Sequence, residues 1–318
     1  MPQTVLLTDY AWPNDEVERR LIEGAGMRLV SGPSDPSPAS VIEALVKQYQ
    51  PSAIITCWAE VSEAAIAAAP DLKIVARLGV GLDNIAIDAA TSRGIWVTNV
   101  PDYCIEEVSD HAVGFALAWT RGLLRFGTEV REGRWEPAGA NLRRLAELTC
   151  GIIGFGRIGR ATAAKFAAFG CKVLAHDPYA DEAPVELVDL DTLLSSSDIV
   201  VVHAPLTLAT RHMINRETLA MMPRGGLLVN VSRGGVVDTQ AVVEALQSGH
   251  LSAVGLDVLE AEPNVPEELR LHSGAMLTPH VAFSSDASLL ELRRRAAEEV
   301  VRVLAGEAPQ QARNVPVQ

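Results

Sequence analysis

The nine residues Gly151–Gly159, GIIGFGRIG, constrain this chain more than any other stretch. Gly154, Gly156 and Gly159 stand in G-x-G-x-x-G spacing after the strand-like run CGII and before a helix-forming run, RATAAKFAAFG. A backbone without Cβ atoms can approach a pyrophosphate closely, and a helix N-terminus offers unpaired N–H groups and a positive dipole end. The turn residues Gly154, Gly156, Arg157, Ile158 and Gly159 are therefore read as a dinucleotide cradle. Asp177 ends the next strand, KVLAHD, eighteen residues past Gly159, where a carboxylate can accept both ribose hydroxyls and repel a 2′-phosphate. Neither Pro178 nor Tyr179 supplies a compensating cation, so NAD(H) is favoured over NADP(H).

Such a turn usually opens its domain, yet 150 residues precede it. They carry their own strand–helix alternation: VLLT (5–8), AIIT (53–56), KIVAR (73–77) and IWVT (95–98) read as strands, and 16–23, 41–48 and 63–68 as helices. A long helical passage over 105–121 leads to a second series, CGIIG, KVLAH, DIVVVH, GGLLVNV, SAVGLDV and AMLTPH. Near-continuous apolar runs of this kind fit parallel strands covered on both faces. Asp238 is placed as a helix N-cap with Gly249 as the stop, and a last helix is expected over 286–304. The chain is thus expected to be α/β with two Rossmann-like domains and a cleft between them. A flavodoxin-like substrate domain takes 1–100 plus 284–318, and a doubly wound parallel-sheet NAD-binding domain takes 101–283. Disorder is expected only in the last ten residues.

Composition narrows the partners. A net charge of −13 over 318 residues opposes non-specific attraction to nucleic acid or anionic membranes. The N-terminus lacks a basic run and a long apolar core, and no later segment approaches about 18 uninterrupted apolar residues, so a cytoplasmic enzyme is expected. Cys57, Cys104, Cys150 and Cys171 lack paired spacing, which reads as core thiols rather than a metal or disulfide framework. No metal is expected.

Three later segments carry chemistry. In NVSRGGVVD, Arg233 lies just past a strand, where open α/β sheets hold ligands, and its planar fork suits a carboxylate or keto acid. GLDVLEAEP offers Asp257 and Glu262, and LTPHVAF offers His280 beyond another strand. A lone histidine there is more often structural. With an acid and an arginine close by, a carboxylate on one ring nitrogen favours the charged ring and turns the other nitrogen toward substrate. Spacing leaves open whether Glu262 and His280 touch.

The motifs RLGVGLDNI (77–85), NVPDYCIEEVSDHA (99–112), GIIGFGRIG, HAPLT (203–207), NVSRGGVVD (230–238), GLDVLEAEP (255–263) and TPH (278–280) appear in order along the chain. In these it resembles the D-isomer-specific 2-hydroxyacid dehydrogenases almost end to end, nearest to phosphoglycerate-dehydrogenase-like and C-terminal-binding-protein-like members. The resemblance implies that Arg233 binds substrate, His280 is the acid/base and Glu262 its paired acid. It also implies Asp257, His203, Pro205, Thr210 and Val231 along the cofactor. Arg77 and the backbone N–H groups of Val80 and Gly81 are implied to meet the substrate, Asp102 to Trp135 a homodimer interface, and the terminal helix a return to the first domain. Glu147-Leu148 departs from the family's Gly-Lys turn, and the chain ends before a C-terminal regulatory domain of the kind some members carry.

The expected reaction is hydride exchange between NADH and a short 2-oxo acid, or the reverse from a D-2-hydroxy acid. The rival expectation is an NAD(H)-responsive dimeric interaction protein, corepressor-like, with little turnover. Phe283, Trp135 and residues 78–82 are expected to line the substrate pocket. Glyoxylate, hydroxypyruvate, 3-phosphohydroxypyruvate and longer oxo acids all stay open.

Overall fold

A computed structural model describes residues 2–10 and 12–316, so positions 1, 11 and 317–318 of the expected first domain lie outside the described residues. The chain divides into two compact units, Met1–Tyr103 with Ser285–Gln318, and Cys104–Ser284.

The first unit alternates β1 (Thr4–Leu7), α1 (Glu16–Gly24), β2 (Arg28–Ser31), α2 (Ala39–Tyr49), β3 (Ala53–Thr56), α3 (Glu63–Ala67), β4 (Ile74–Arg77), α4 (Ile87–Ser92) and β5 (Trp96–Thr98). Its five parallel strands run in the order β2-β1-β3-β4-β5, with Val5 opposite Ala53 and Ile55 opposite Ala76. Every residue of β3 and β4 is buried because helices cover both faces, which is why these strands read as unbroken apolar runs. Ile42, Val46 and Ile66 from the helices close over Leu6, Ile54 and Val75. The sequence reading missed β2: it is the outermost strand and buries only Leu29, so it leaves no apolar run to detect.

The second unit begins with α5 (Ile105–Arg121) and α6 (Leu123–Arg131), then a 3₁₀ turn at Leu145–Glu147. That turn absorbs the Glu147-Leu148 departure: Leu148 N–H donates to the Leu145 carbonyl at 3.0 Å and enters the sheet in extended conformation. There follow β6 (Thr149–Ile153), α7 (Arg157–Ala168), β7 (Lys172–His176), β8 (Glu186–Leu187), α8 (Leu190–Ser196), β9 (Ile199–Val202), α9 (Arg216–Met221) and β10 (Gly226–Asn230). Next come α10 (Thr239–Gln247), β11 (Leu251–Leu256), α11 (Glu267–Leu271) and β12 (Ala275–Leu277). Seven parallel strands are ordered β12-β11-β10-β9-β6-β7-β8. Asp238 caps α10 by accepting from Ala241 N–H at 3.1 Å, a contact of about 1 kcal/mol.

The last helix, α12 (Asp286–Leu304), rejoins the first unit and packs on α1, β3 and β4. Glu18, fully buried, takes a two-pronged ion pair from Arg293 of α12 at 2.7 and 2.8 Å. Of the last ten residues, expected to be disordered, the described ones (309–316) are tied down, and 317–318 lie outside the described residues. Arg313 N–H donates to Val97 at 2.8 Å, and the Asn314 side chain accepts from Val97 N–H at 2.8 Å, because β5 would otherwise leave an open edge. All four cysteines are buried thiols; burial pushes Cys57 up to about 12.

Candidate active site

The topology explains how residues far apart in sequence gather. Each strand–helix–strand unit returns the chain to the same end of the sheet, and neighbouring strands lie about 4.8 Å apart. Arg233 follows β10, Glu262 follows β11 and His280 follows β12, three adjacent strands. The glycine turn follows β6 and Asp177 follows β7, with His203 after β9 between the two groups. The strand order reverses at β6, the kind of position where open α/β sheets accept ligands.

The three glycines of the turn have different reasons. At Gly154, φ is +89° and a Cβ would lie 2.6 Å from the Ala204 nitrogen. At Gly159 a Cβ would lie 2.1 Å from the Gly154 carbonyl oxygen, so this glycine lets α7 sit tight on the turn. At Gly156 a Cβ would meet nothing within 4 Å, so packing does not explain it. It caps α7 with no side-chain hydrogen bond, so among the described residues no side chain caps the first-turn N–H groups of Arg157, Ile158 and Gly159. An open, uncapped helix start with a glycine that packing does not need fits a pyrophosphate.

Asp177 is already oriented: one carboxylate oxygen accepts from Phe155 N–H at 2.8 Å and the other from Tyr179 N–H at 2.9 Å. Each oxygen keeps a lone pair for a ribose hydroxyl. His203 turns its ring onto Thr162 of α7 at 2.9 Å, and burial pushes it down to about 3, so the ring is neutral and ties β9 to the glycine helix. Thr210 knits the next loop through Pro205 O at 2.5 Å and Thr207 N–H at 2.8 Å, while Val231 is buried directly after β10.

Glu262 Oε2 lies 2.9 Å from His280 Nδ1, and its other oxygen accepts from Leu259 N–H at 2.9 Å. Burial acts to raise the Glu262 carboxyl. The hydrogen bond and charge of His280, the Leu259 N–H and the Arg233 charge outweigh it and hold the group below the usual carboxylate value. Arg233 is brought here by Gly234: a Cβ there would lie 2.0 Å from the Leu259 carbonyl carbon, so the two loops meet backbone to backbone. Buried Asn230 fixes the Arg233 loop, accepting from Ser232 N–H at 3.1 Å and donating to Arg233 O at 3.0 Å.

His280 itself has φ of +54°, in the left-handed region. Asp257, 3% exposed, holds that turn. It accepts from Val281 and Ala282 N–H, both at 2.9 Å, and from the Thr278 hydroxyl at 2.6 Å, while its carbonyl accepts from His280 N–H at 2.8 Å. His111 of α5 stands 2.9 Å from the same Thr278 hydroxyl. Because that hydroxyl donates to Asp257, His111 must donate through Nε2. Sequence reasoning did not single out His111, Asn230, Gly234 or Glu260. Glu260 bonds His212 at 2.5 Å and the α10 amide of Thr239 at 2.7 Å. Each acts through another loop, which local spacing does not display. Phe283 meets the His280 ring edge to face at 6.3 Å, and Trp135 stands 83% exposed beyond α6.

In the first unit, Arg77 is 6% exposed at the end of β4; it donates to Asn84 at 3.1 Å and to the Leu78 carbonyl. The amide N–H groups of Val80 and Gly81 make no hydrogen bond among the described residues. Asn99 steadies this loop by donating to Val80 O at 2.5 Å.

Residues 113–282 match the family model described as D-isomer specific 2-hydroxyacid dehydrogenase, NAD binding domain. The chain is 43% identical over 241 residues to a hydroxypyruvate reductase of Thermotoga maritima, covering 74% of this chain and 78% of that protein. It is 40% identical over 255 residues to a D-3-phosphoglycerate dehydrogenase of Mycobacterium leprae, covering 79% of this chain and 48% of that protein; it thus spans about half that relative's length. Its fold is similar to a D-lactate dehydrogenase from Aquifex aeolicus complexed with NAD and lactic acid: TM-score 0.85, 31% identity, 95% of this chain and 96% of that one. Among the described residues no helix is long and apolar enough to cross a membrane.

Proposed function

The chain belongs to the D-isomer-specific 2-hydroxyacid dehydrogenase family, and on that premise we propose that it interconverts a short 2-oxo acid and its D-2-hydroxy acid with NAD(H). The observation that carries this reading is the 2.9 Å contact of His280 with Glu262, an acid held ionised in part by the Arg233 charge. NAD(H), when bound, supplies or takes up the hydride at the carbon bearing oxygen. The glycine turn and the start of α7 hold its pyrophosphate, and Asp177 accepts the ribose hydroxyls.

The protein's own residues do the rest. Arg233 orients the substrate carboxylate and carbonyl, and the amides of Val80 and Gly81 bind the carboxylate, with Arg77 beneath them. Glu262 favours the charged His280 ring, which donates its Nε2 proton to the carbonyl oxygen during reduction and recovers it in the oxidative direction. Asp257 keeps His280 in its left-handed turn. The second unit is further proposed to pair with a second copy through α6, where Leu123, Leu124 and Val130 are 58%, 57% and 49% exposed and no residue is buried. Sedimentation of the wild type as a dimer and of Leu124→Glu as a monomer is expected.

Consumption of NADH across glyoxylate, hydroxypyruvate and longer 2-oxo acids tests the activity. Turnover on at least one, with NADPH markedly poorer, is the expected result. A silent panel alongside tight NADH binding would overturn it.

A further inference from the structure

We infer that an open pocket at the carboxyl ends of β1 and β3 receives the carbon substituent of the substrate, and that this substituent is uncharged and largely apolar rather than phosphorylated. The inference rests on the proposed 2-oxo acid reaction. The pocket has a volume of about 420 Å³ and is lined by Tyr10, Trp12 and Trp58, with Pro13, Ser34, Asp35 and Pro36 forming its exposed rim. Such a size suits a small-molecule side chain. Its place is where a ligand is expected, since the order β2-β1-β3-β4-β5 reverses between β1 and β3.

The pocket is joined to the proposed carboxylate-binding loop by buried polar groups. Asp9, with no exposed surface, accepts from the backbone N–H groups of Cys57, Trp58 and Ala59 at 3.0, 2.7 and 3.1 Å, which fixes the base of the Trp58 wall. Asn84 donates to the carbonyls of Cys57 and Ala59 at 3.3 and 2.9 Å, and with its other atom accepts from Arg77 at 3.1 Å. The Trp58 loop and the end of β4, which leads into Val80 and Gly81, are therefore one braced assembly.

Charge decides what the pocket can hold. Among the described residues no lysine, arginine or histidine lines it. Arg293 stacks on Trp12 at 5.1 Å, but its Nε and Nη2 donors are committed to buried Glu18 at 2.8 and 2.7 Å and to the Asn14 carbonyl at 2.8 Å. Arg19, near the end of β2, is paired with Asp15 at 2.5 Å and Glu23 at 2.7 Å. A phosphate placed here would lose water to aromatic walls, gain no cationic fork and face the Asp35 carboxylate. An alkyl or phenyl group would bury apolar surface against the same walls.

The test compares kcat/KM at saturating NADH for glyoxylate, phenylpyruvate and 3-phosphohydroxypyruvate in wild type, Trp58→Ala and the gentler Trp58→Leu. The wild type is expected to favour phenylpyruvate over 3-phosphohydroxypyruvate by at least about tenfold, the scale of burying one large apolar group. Trp58→Ala is expected to lower the phenylpyruvate-to-glyoxylate ratio by roughly ten- to hundredfold, and Trp58→Leu by less. Preference for the phosphorylated acid, or a ratio unmoved in a folded Trp58 variant, overturns the inference. If the wild type reduces none of the three acids, the proposed reaction fails instead. Calorimetric titration with NADH present then decides the pocket alone: phenylpyruvate binding that weakens in Trp58→Leu upholds it, and absent or unaltered binding overturns it.

Discussion

The carboxyl edges of the two parallel sheets carry different chemistry. In the second unit they end in Arg233, Glu262, His280 and Asp177, groups whose charges and turns are held by neighbours: Glu262 on His280 at 2.9 Å, Asp177 under two backbone amides, Asp257 under the His280 turn. In the first unit they end in Tyr10, Trp58 and the amides of Val80 and Gly81, unbonded among the described residues, with the one buried arginine of β4 folded onto its own loop. Under the proposed function, the same strand–helix alternation carries proton transfer at the edge of one unit and substrate recognition at the edge of the other. What separates them is the residue placed after each strand.

If that division is right, changes to the second edge should strike turnover most. His280→Ala should lower kcat by about 10²–10⁴, the usual range for losing a positioned general acid, while the NADH Kd from fluorescence titration stays close to wild type. Glu262→Gln keeps a hydrogen-bond acceptor but removes the charge that favours the imidazolium, and should cost roughly ten- to hundredfold in kcat. The same variant has a pH signature. The Glu262 carboxyl lies below its usual value in the folded protein, so its stabilisation is fully present above the unfolded carboxylate pKa and is lost as pH falls through the lowered one. Denaturant midpoints of wild type and Glu262→Gln should therefore differ at about pH 7, and the gap should narrow as pH falls below the usual carboxylate range. A constant gap would assign the pair no electrostatic part.

Two smaller effects sharpen the comparison. Asp177→Ala should weaken NADH about tenfold and narrow the preference over NADPH, as paired NADH and NADPH kinetics would show; an unmoved preference would remove the ribose contact. His111→Ala, which loses the donor to Thr278, should lower kcat only a few-fold with KM for NADH little changed, because one neutral hydrogen bond contributes about 1 kcal/mol. A loss as large as that of His280→Ala would move His111 into the chemistry itself.

The two edges also differed in how openly the sequence displayed them. The strand AIIT and the helix 286–304 coincide with β3 and α12, because buried parallel strands and capped amphipathic helices write their pattern locally. The candidate residues of the second edge could be named from their places after strands. Their contact could not, since it depends on Gly234 letting one loop lie against Leu259 and Glu260. Outer strand β2, the tail bound to β5 and the Asp9 and Asn84 braces left no periodic trace. Each works through a backbone partner 20 or more residues away, as when Asp9 meets Trp58 across a separation of 49.

The most direct check is the distance from His280 Nε2 to the reacting oxygen in a crystal structure with NAD⁺ and a slowly turned-over D-2-hydroxy acid. The account predicts about 2.6–3.2 Å, with Glu262 still on Nδ1 and Arg233 on the carboxylate. A substrate whose hydroxyl faces away from His280, beyond reach of even one bridging water, would contradict it.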